Sequence, residues 1–176
     1  VNRDKLIITS AMLAAMSIVF EYLPIFYKLG DIKIDLVGFP WILSTMLLGV
    51  TGGLITSATV AIVIALASPT GWIGALMKLL ATLPVVLIIG LARAKYGLKP
   101  KPLVAAFAVA LVVRCVGMVY VNWFFAMPIF WSIPVEQAIN YPAILLILPN
   151  AIVAIIEFLL SYFLIFKTQL RARLDA

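Results

Sequence analysis

From Ile34 to Ala67 the chain reads IDLVGFPWILSTMLLGVTGGLITSATVAIVIALA, with Asp35 its one ionisable group. A membrane-spanning helix takes about 20 apolar residues, so this stretch is too long for one span. Gly49, Gly52 and Gly53 divide it. Glycine weakens a helix interior and suits a break. Two short helices, about Asp35–Leu48 and Leu54–Ala67, fit better than one long one. That choice sets how often the chain crosses a bilayer.

The flanking charges test it. Arg3 and Lys5 precede the first apolar run. Arg93, Lys95, Lys99 and Lys101 follow the fourth, and Lys167, Arg171 and Arg173 follow the last. With two helices in Ile34–Ala67, all of these fall on one side and only Lys28 and Lys33 on the other. With one helix, the group at Arg93–Lys101 moves across. Basic residues mark the cytoplasmic side, so two helices are expected, with both termini cytoplasmic.

Composition agrees. The chain has 176 residues, 65% hydrophobic and 11% charged. A soluble domain carries about 25% charged residues. The apolar segments do not alternate as barrel strands do. The expectation is an all-α membrane protein, residues 1–176 forming a single transmembrane helical domain. The first span runs from Leu6 to about Phe26, where Pro24 bends or ends it. A polar loop, Tyr27–Lys33, follows. The fourth, fifth and sixth spans are placed at Trp72–Ala92, Leu103–Phe125 and Ile144–Phe166. Met127–Tyr141 is the longest outer loop. Six transmembrane helices result, embedded in a lipid bilayer. Trp72, Trp123, Trp131, Tyr27 and Tyr141 fall near the outer boundary, as an aromatic belt does.

Several chemistries lack their residues. Net charge is +6, but the excess flanks helices, which orients a membrane protein and does not point to nucleic acid. There is no histidine and one cysteine, Cys115, so no metal site is indicated. No Walker-type, His-Glu-x-x-His or Gly-x-Ser-x-Gly motif occurs. An enzyme is not expected.

The polar groups at membrane depth carry the functional reading. Lys78 lies within apolar sequence, and an ammonium at a helix centre costs roughly 2.5–3.5 kcal/mol on insertion scales. Either it faces an interior with a partner or ligand, or its stem snorkels to the interface. Counting about 1.5 Å per residue puts Glu21, Asp35, Lys78, Asn122 and Asn150 in the outer half. These groups, on five helices at one depth, describe a pocket open to the outside; the alternative is local helix-to-helix glue. Arg114 and Glu157 share a depth near the bilayer middle, where a structural ion pair is the simplest account and a role in substrate handling is the alternative. Ala11 and Ala15 lie on one face of the first helix and permit close approach, either inside the bundle or by a partner helix.

Some of these stretches resemble a known family. Lys33-Ile34-Asp35-Leu36-Val37-Gly38-Phe39-Pro40 is similar to the Lys-Ile-Asp-Phe-Ser-Asp-x-Pro that opens helix two in riboflavin-specific S components of energy-coupling-factor (ECF) vitamin transporters. Asn122-Trp123-Phe124, with Pro128 and Phe130, resembles that group's Asn-Tyr-Phe-x-x-x-Pro-x-Tyr. Pro149-Asn150 resembles its Pro-Phe-Asn-x-x-Lys. Ala11 and Ala15 match the family's Ala-x-x-x-Ala docking motif. Three features depart from the pattern. Val37 and Gly38 replace Ser-Asp, Val153 stands at the helix-six lysine, and Lys78 stands where many members have asparagine.

The resemblance implies a substrate-capturing subunit of an ABC importer in a prokaryotic cytoplasmic membrane. Its implied partners are a transmembrane coupling subunit, which Ala11 and Ala15 would dock, and two ABC ATPases. The implied ligand is a small-molecule vitamin, riboflavin or a close flavin, carried as cargo, with no cofactor. Trp41, Trp72, Trp123 and Phe124 are near enough to the outer boundary to stack on its ring. Lys78, Asn122 and Asn150 offer donors, Lys78 for a ring carbonyl, and Asp35 offers an acceptor for ribityl hydroxyls. An S component for another vitamin and a stand-alone carrier driven by an ion gradient are the alternatives.

Overall fold

The computed structural model of the chain describes residues 2–23, 28–29, 32–33 and 35–168. The readings placed on Pro24, Phe26, Tyr27, Asp31, Ile34, Arg171 and Arg173 lie outside these, as do the side chains of Lys28 and Lys33.

The long apolar stretch breaks at Gly49, where φ is +88°. Helix α2 (Phe39–Leu48) ends there and α3 (Val50–Ala67) begins. Side chains disfavour that backbone region. A Cβ at Gly49 would also lie 2.8 Å from Arg93 Nη1. Arg93 occupies the space for a reason. Its Nη2 donates to the carbonyl of Leu47 at 2.9 Å and so satisfies one of the orphan carbonyls at the end of α2.

The bounds of both helices differ from the sequence reading. Helix α2 begins at Phe39 rather than Asp35. Pro40 fits its first turn, while Asp35 lies before it and accepts the backbone N–H of Val37 at 3.1 Å. Helix α3 starts at Val50 and contains Gly52 and Gly53, which let it pack closely. A Cβ on Gly53 would lie 2.8 Å from Val86.

The other elements follow the apolar runs. Helix α1 spans Arg3–Tyr22. A two-residue antiparallel ladder pairs β1 (Lys28–Leu29) with β2 (Ile32–Lys33). Helix α4 spans Gly71–Tyr96 and contains Pro84. Helix α5 (Pro100–Val121) runs through a π-helical turn, Asn122–Ala126, into α6 (Met127–Phe130). The expected outer loop therefore starts with helix, and further along it holds the short α7 (Val135–Ala138). Helix α8 spans Ala143–Lys167 and contains Pro149.

Among the described residues, five helices are long and apolar enough to cross a membrane. Helix α2 is the shorter sixth. Its 10 residues reach about 15 Å, half of a ~30 Å hydrocarbon core. It is also the element about which the others pack. Nine of its residues are buried, on every face. A helix apolar all round belongs inside. Phe39, Ile42, Leu43 and Met46 pack in one core cluster with Val85 and Ile89 of α4, Phe107 of α5 and Phe158 of α8. Trp41, with no exposed surface, packs in a second cluster with Ala14, Val60 and Ile64.

Candidate functional site

Because α2 is short, the segment that enters it lies inside the bundle. Asp35 is buried there. Its Oδ2 accepts a hydrogen bond from Lys78 Nζ of α4. The same ammonium lies 3.6 Å from Oε2 of Glu21, in the last turn of α1. Glu21 Oε1 in turn accepts from Ser68 Oγ at 2.9 Å, and Ser68 Oγ is 3.0 Å from Thr70 Oγ1. Lys78 thus points inward between two carboxylates and does not snorkel. Opposite charges at these distances recover much of what desolvation costs.

A second charged pair lies deeper. Arg114 Nη1 of α5 donates to Glu157 Oε2 of α8 at 3.1 Å. Glu157 Oε1 accepts the backbone N–H of Gly38 at 2.8 Å. Both side chains are buried. The pair links α5, α8 and the entry to α2 through one carboxylate.

Helical spacing connects the two levels. Arg114 and Met118 of α5 and Asn122, the first residue of the π-helical turn, are four residues apart and form one stripe. Asn150, Val153 and Glu157 form the facing stripe on α8. Asn122 Nδ2 donates to Met118 O at 2.7 Å, and Asn150 Nδ2 to Leu146 O at 2.9 Å. Each carboxamide spends one donor on its own helix and keeps its Oδ1 and a second N–H for other partners.

Between the stripes lies a cavity of about 330 Å³. That is at the small end of the range for small-molecule sites. Asp35, Trp41, Lys78, Asn122 and Asn150 line it, as do Arg114, Glu157 and Glu21. Trp41 is fixed by a hydrogen bond from Nε1 to Ser17 Oγ at 3.0 Å, and Ser17 Oγ donates to Val37 O at 2.5 Å.

Three aromatics expected to stack on a ligand do not line the cavity. Trp72 is 60% exposed. It precedes Lys78 by six residues, which at 3.6 per turn turns it about 120° from the inward direction. Trp123 and Phe124 follow Asn122 and rotate off its stripe. Trp123 Nε1 donates to Tyr141 O at 3.2 Å, while Phe124 stacks on Tyr120 at the surface. Aromatic surface comes instead from Trp41, Phe130 and Trp131. Met77 and Met118, which the sequence does not mark as binding residues, also line the cavity, as does Val153 at the position of the family's helix-six lysine. Met118 was legible as the midpoint of the Arg114–Asn122 stripe. Glu21, which belongs with Asp35, Lys78, Asn122 and Asn150 to the set read as a pocket, lines it as well.

Ala11 and Ala15 sit on the exposed face of α1, beside Met12. The buried face of that helix carries Ser10, Ala14, Ser17 and Glu21. The structure holds no group of three or more His, Cys, Asp or Glu side chains placed to bind a metal, among the described residues.

Three comparisons with known proteins bear on the fold and site. The model of the family described as "ECF transporter, substrate-specific component" matches residues 5–167. A solved structure described as the S component of a bacterial ECF transporter is similar in fold, with a TM-score of 0.67. The two chains are 23% identical, over 90% of this chain and 94% of that one. No curated protein matches the sequence. The family match spans nearly the whole chain and all the helices that line the cavity, and the chain belongs to the substrate-specific (S) components of ECF transporters, which are substrate-binding transport subunits rather than enzymes.

Proposed function

We propose that this S component captures riboflavin or a closely related flavin from outside a prokaryotic cytoplasmic membrane. It delivers the vitamin through a transmembrane coupling subunit driven by two ABC ATPases. In this reading residues 1–176 form one domain that crosses the membrane six times, with both termini cytoplasmic. Asp35, Trp41, Lys78, Asn122 and Asn150 hold the ligand, and Ala11 and Ala15 dock the coupling subunit.

The carrying observation is the make-up of the cavity. Most of its wall is apolar, and its polar groups converge from α1, the entry to α2, α4, α5 and α8. Such a site suits a flat ring that carries hydrogen-bonding edges and a hydroxylated tail. Lys78 is already held by Asp35, so its carboxylate partners and the two asparagines are the acceptors for ribityl hydroxyls. The charges support a neutral ligand. Glu21, Asp35 and Glu157 face Lys78 and Arg114, three carboxylates against two cations among the described lining residues. A vitamin with its own carboxylate would meet a like charge there. The same excess favours, as the second reading, an S component for a cationic vitamin.

Titration of the detergent-purified protein with riboflavin tests the proposal. A flavin stacked on Trp41 or Trp131 loses fluorescence, so saturable quenching at micromolar concentrations or below is expected. No quenching, with saturable binding of a cationic vitamin, would select the second reading. Uptake into vesicles that lack the ATPases would identify a stand-alone carrier.

A further inference from the structure

Arg114 holds more hydrogen-bonding capacity than its ion pair uses. A guanidinium has five N–H donors. Among the described residues its one bond runs from Nη1 to Glu157 Oε2, and the buried Nε has no acceptor. Buried donors without partners are rare in folded proteins and call for an explanation. Arg114 also lines the ligand cavity, as does Glu157. A purely structural pair would gain from a closed, apolar surround. This one is left facing the space a ligand fills.

Its position makes the cavity two-tiered. Asn122, just past the end of α5, stands eight residues beyond Arg114, about 12 Å along the helix. Asn150 and Glu157 on α8 are separated by about 10 Å in the same sense. The upper tier holds the asparagines together with Lys78, Asp35 and Glu21. The lower holds Arg114 and Glu157, with the backbone of Gly38 against the carboxylate. Met118, Val153 and Trp41 supply an apolar middle. A ligand that satisfies both tiers is elongated and polar at each end.

The lower tier specifies what kind of end. Glu157 uses one lone pair on Oε1 for Gly38 and one on Oε2 for Arg114, out of about four on a carboxylate. It can accept another N–H. Arg114 can donate to another oxygen. Their charges cancel, so the group they receive is neutral. A donor beside an acceptor on a rigid pair is the complement of a carbonyl beside a ring N–H.

We propose that Arg114 and Glu157 are ligand-binding residues that read the imide edge of a planar heterocycle. Arg114 donates to a ring carbonyl oxygen and Glu157 accepts the adjacent ring N–H. The assignment rests on the flavin reading above, and it places the pyrimidine edge of the ring at the floor and the ribityl chain at the upper tier.

Two measurements test it. The wild-type protein should bind N3-methylriboflavin roughly tenfold or more weakly than riboflavin, because the methyl group removes the donor and leaves Glu157 short of it. The infrared carbonyl stretches of bound riboflavin, labelled with carbon-13 at C2 or C4, should move to higher frequency in Arg114→Lys. Lysine keeps the charge opposite Glu157 but lacks the guanidinium fork. A merely structural arginine would not move those bands. Equal affinity for the two flavins, or unmoved bands in the variant, would overturn the assignment while leaving riboflavin as the cargo. Failure of the wild-type protein to bind riboflavin at all would overturn the flavin reading and this assignment with it.

Discussion

The backbone N–H of Gly38 donates to Glu157 Oε1 at 2.8 Å, across most of the length of the chain. This bond fixes the entry of the central helix against α8 and turns the carboxylate so that its other oxygen meets Arg114. There is no room for a side chain at Gly38. A Cβ there would lie 2.7 Å from Glu157 Oε2 and 2.8 Å from its Cδ. The carboxylate cannot swing aside without giving up Arg114. Gly38→Ala should therefore destabilise the protein by about 1–3 kcal/mol, read as a lower midpoint of thermal unfolding in detergent. An unchanged midpoint would mean that Glu157 is not anchored as described.

Removal of one member of the Arg114–Glu157 pair strands the other in the interior. Arg114→Ala should cost about 3–5 kcal/mol. The double change Arg114→Leu with Glu157→Leu should recover part of that loss, because two apolar groups replace two charges. A thermodynamic cycle over the single and double variants measures the coupling. Additive losses would count against the contact.

Lys78 balances two carboxylates at once. Lys78→Met should weaken riboflavin binding by about 1–3 kcal/mol, because it leaves Asp35 and Glu21 as a like-charged pair. Adding Asp35→Asn should restore folding stability more than it restores binding. Equal recovery of both would reduce Lys78 to a structural role. Asn122→Ala, which leaves the ion pairs intact, should weaken binding by a similar amount without a change in unfolding midpoint.

Ala11 and Ala15 face outward on α1, so a large side chain at either fits the isolated chain. Ala15→Trp should leave ligand binding unchanged. It should reduce uptake in cells or vesicles that carry the complete transporter, because close helix approach needs small residues. Undiminished uptake would place the docking face elsewhere.

The proposed six-span topology predicts which loops are accessible. With Cys115 first removed, a single cysteine in place of Lys99 should resist a membrane-impermeant thiol reagent in intact cells. One in place of Asp31 should react. Labelling at position 99 from outside would overturn the layout.

The residues alone determined the membrane class and the helical architecture. Burial in lipid demands long apolar runs and an intact helical backbone, and both are local properties that can be read in order along the chain. A break somewhere in Gly49–Gly53 was legible for the same reason, since glycine takes a positive φ at low cost, but only the structure puts it at Gly49 and takes Gly52 and Gly53 into α3. Counting along helices of known rise grouped Lys78, Asp35, Asn122 and Asn150 at one level, and all four line the cavity.

Rotation and partnership came only with the tertiary structure. Depth does not say which way a side chain points. Trp72, Trp123 and Phe124 lie near the expected level, yet turn away from the cavity. Nothing local marks α2 as the central helix, because a half-length apolar helix and a full span read alike at their ends. Its burial on all sides is a consequence of the helices that surround it. Likewise Lys78 found Glu21 as well as Asp35, and Glu157 found Gly38 as well as Arg114. Those contacts join residues distant in sequence. They exist because α2 stops short, letting the segment from Asp35 to Gly38 sit inside the bundle where the charges meet.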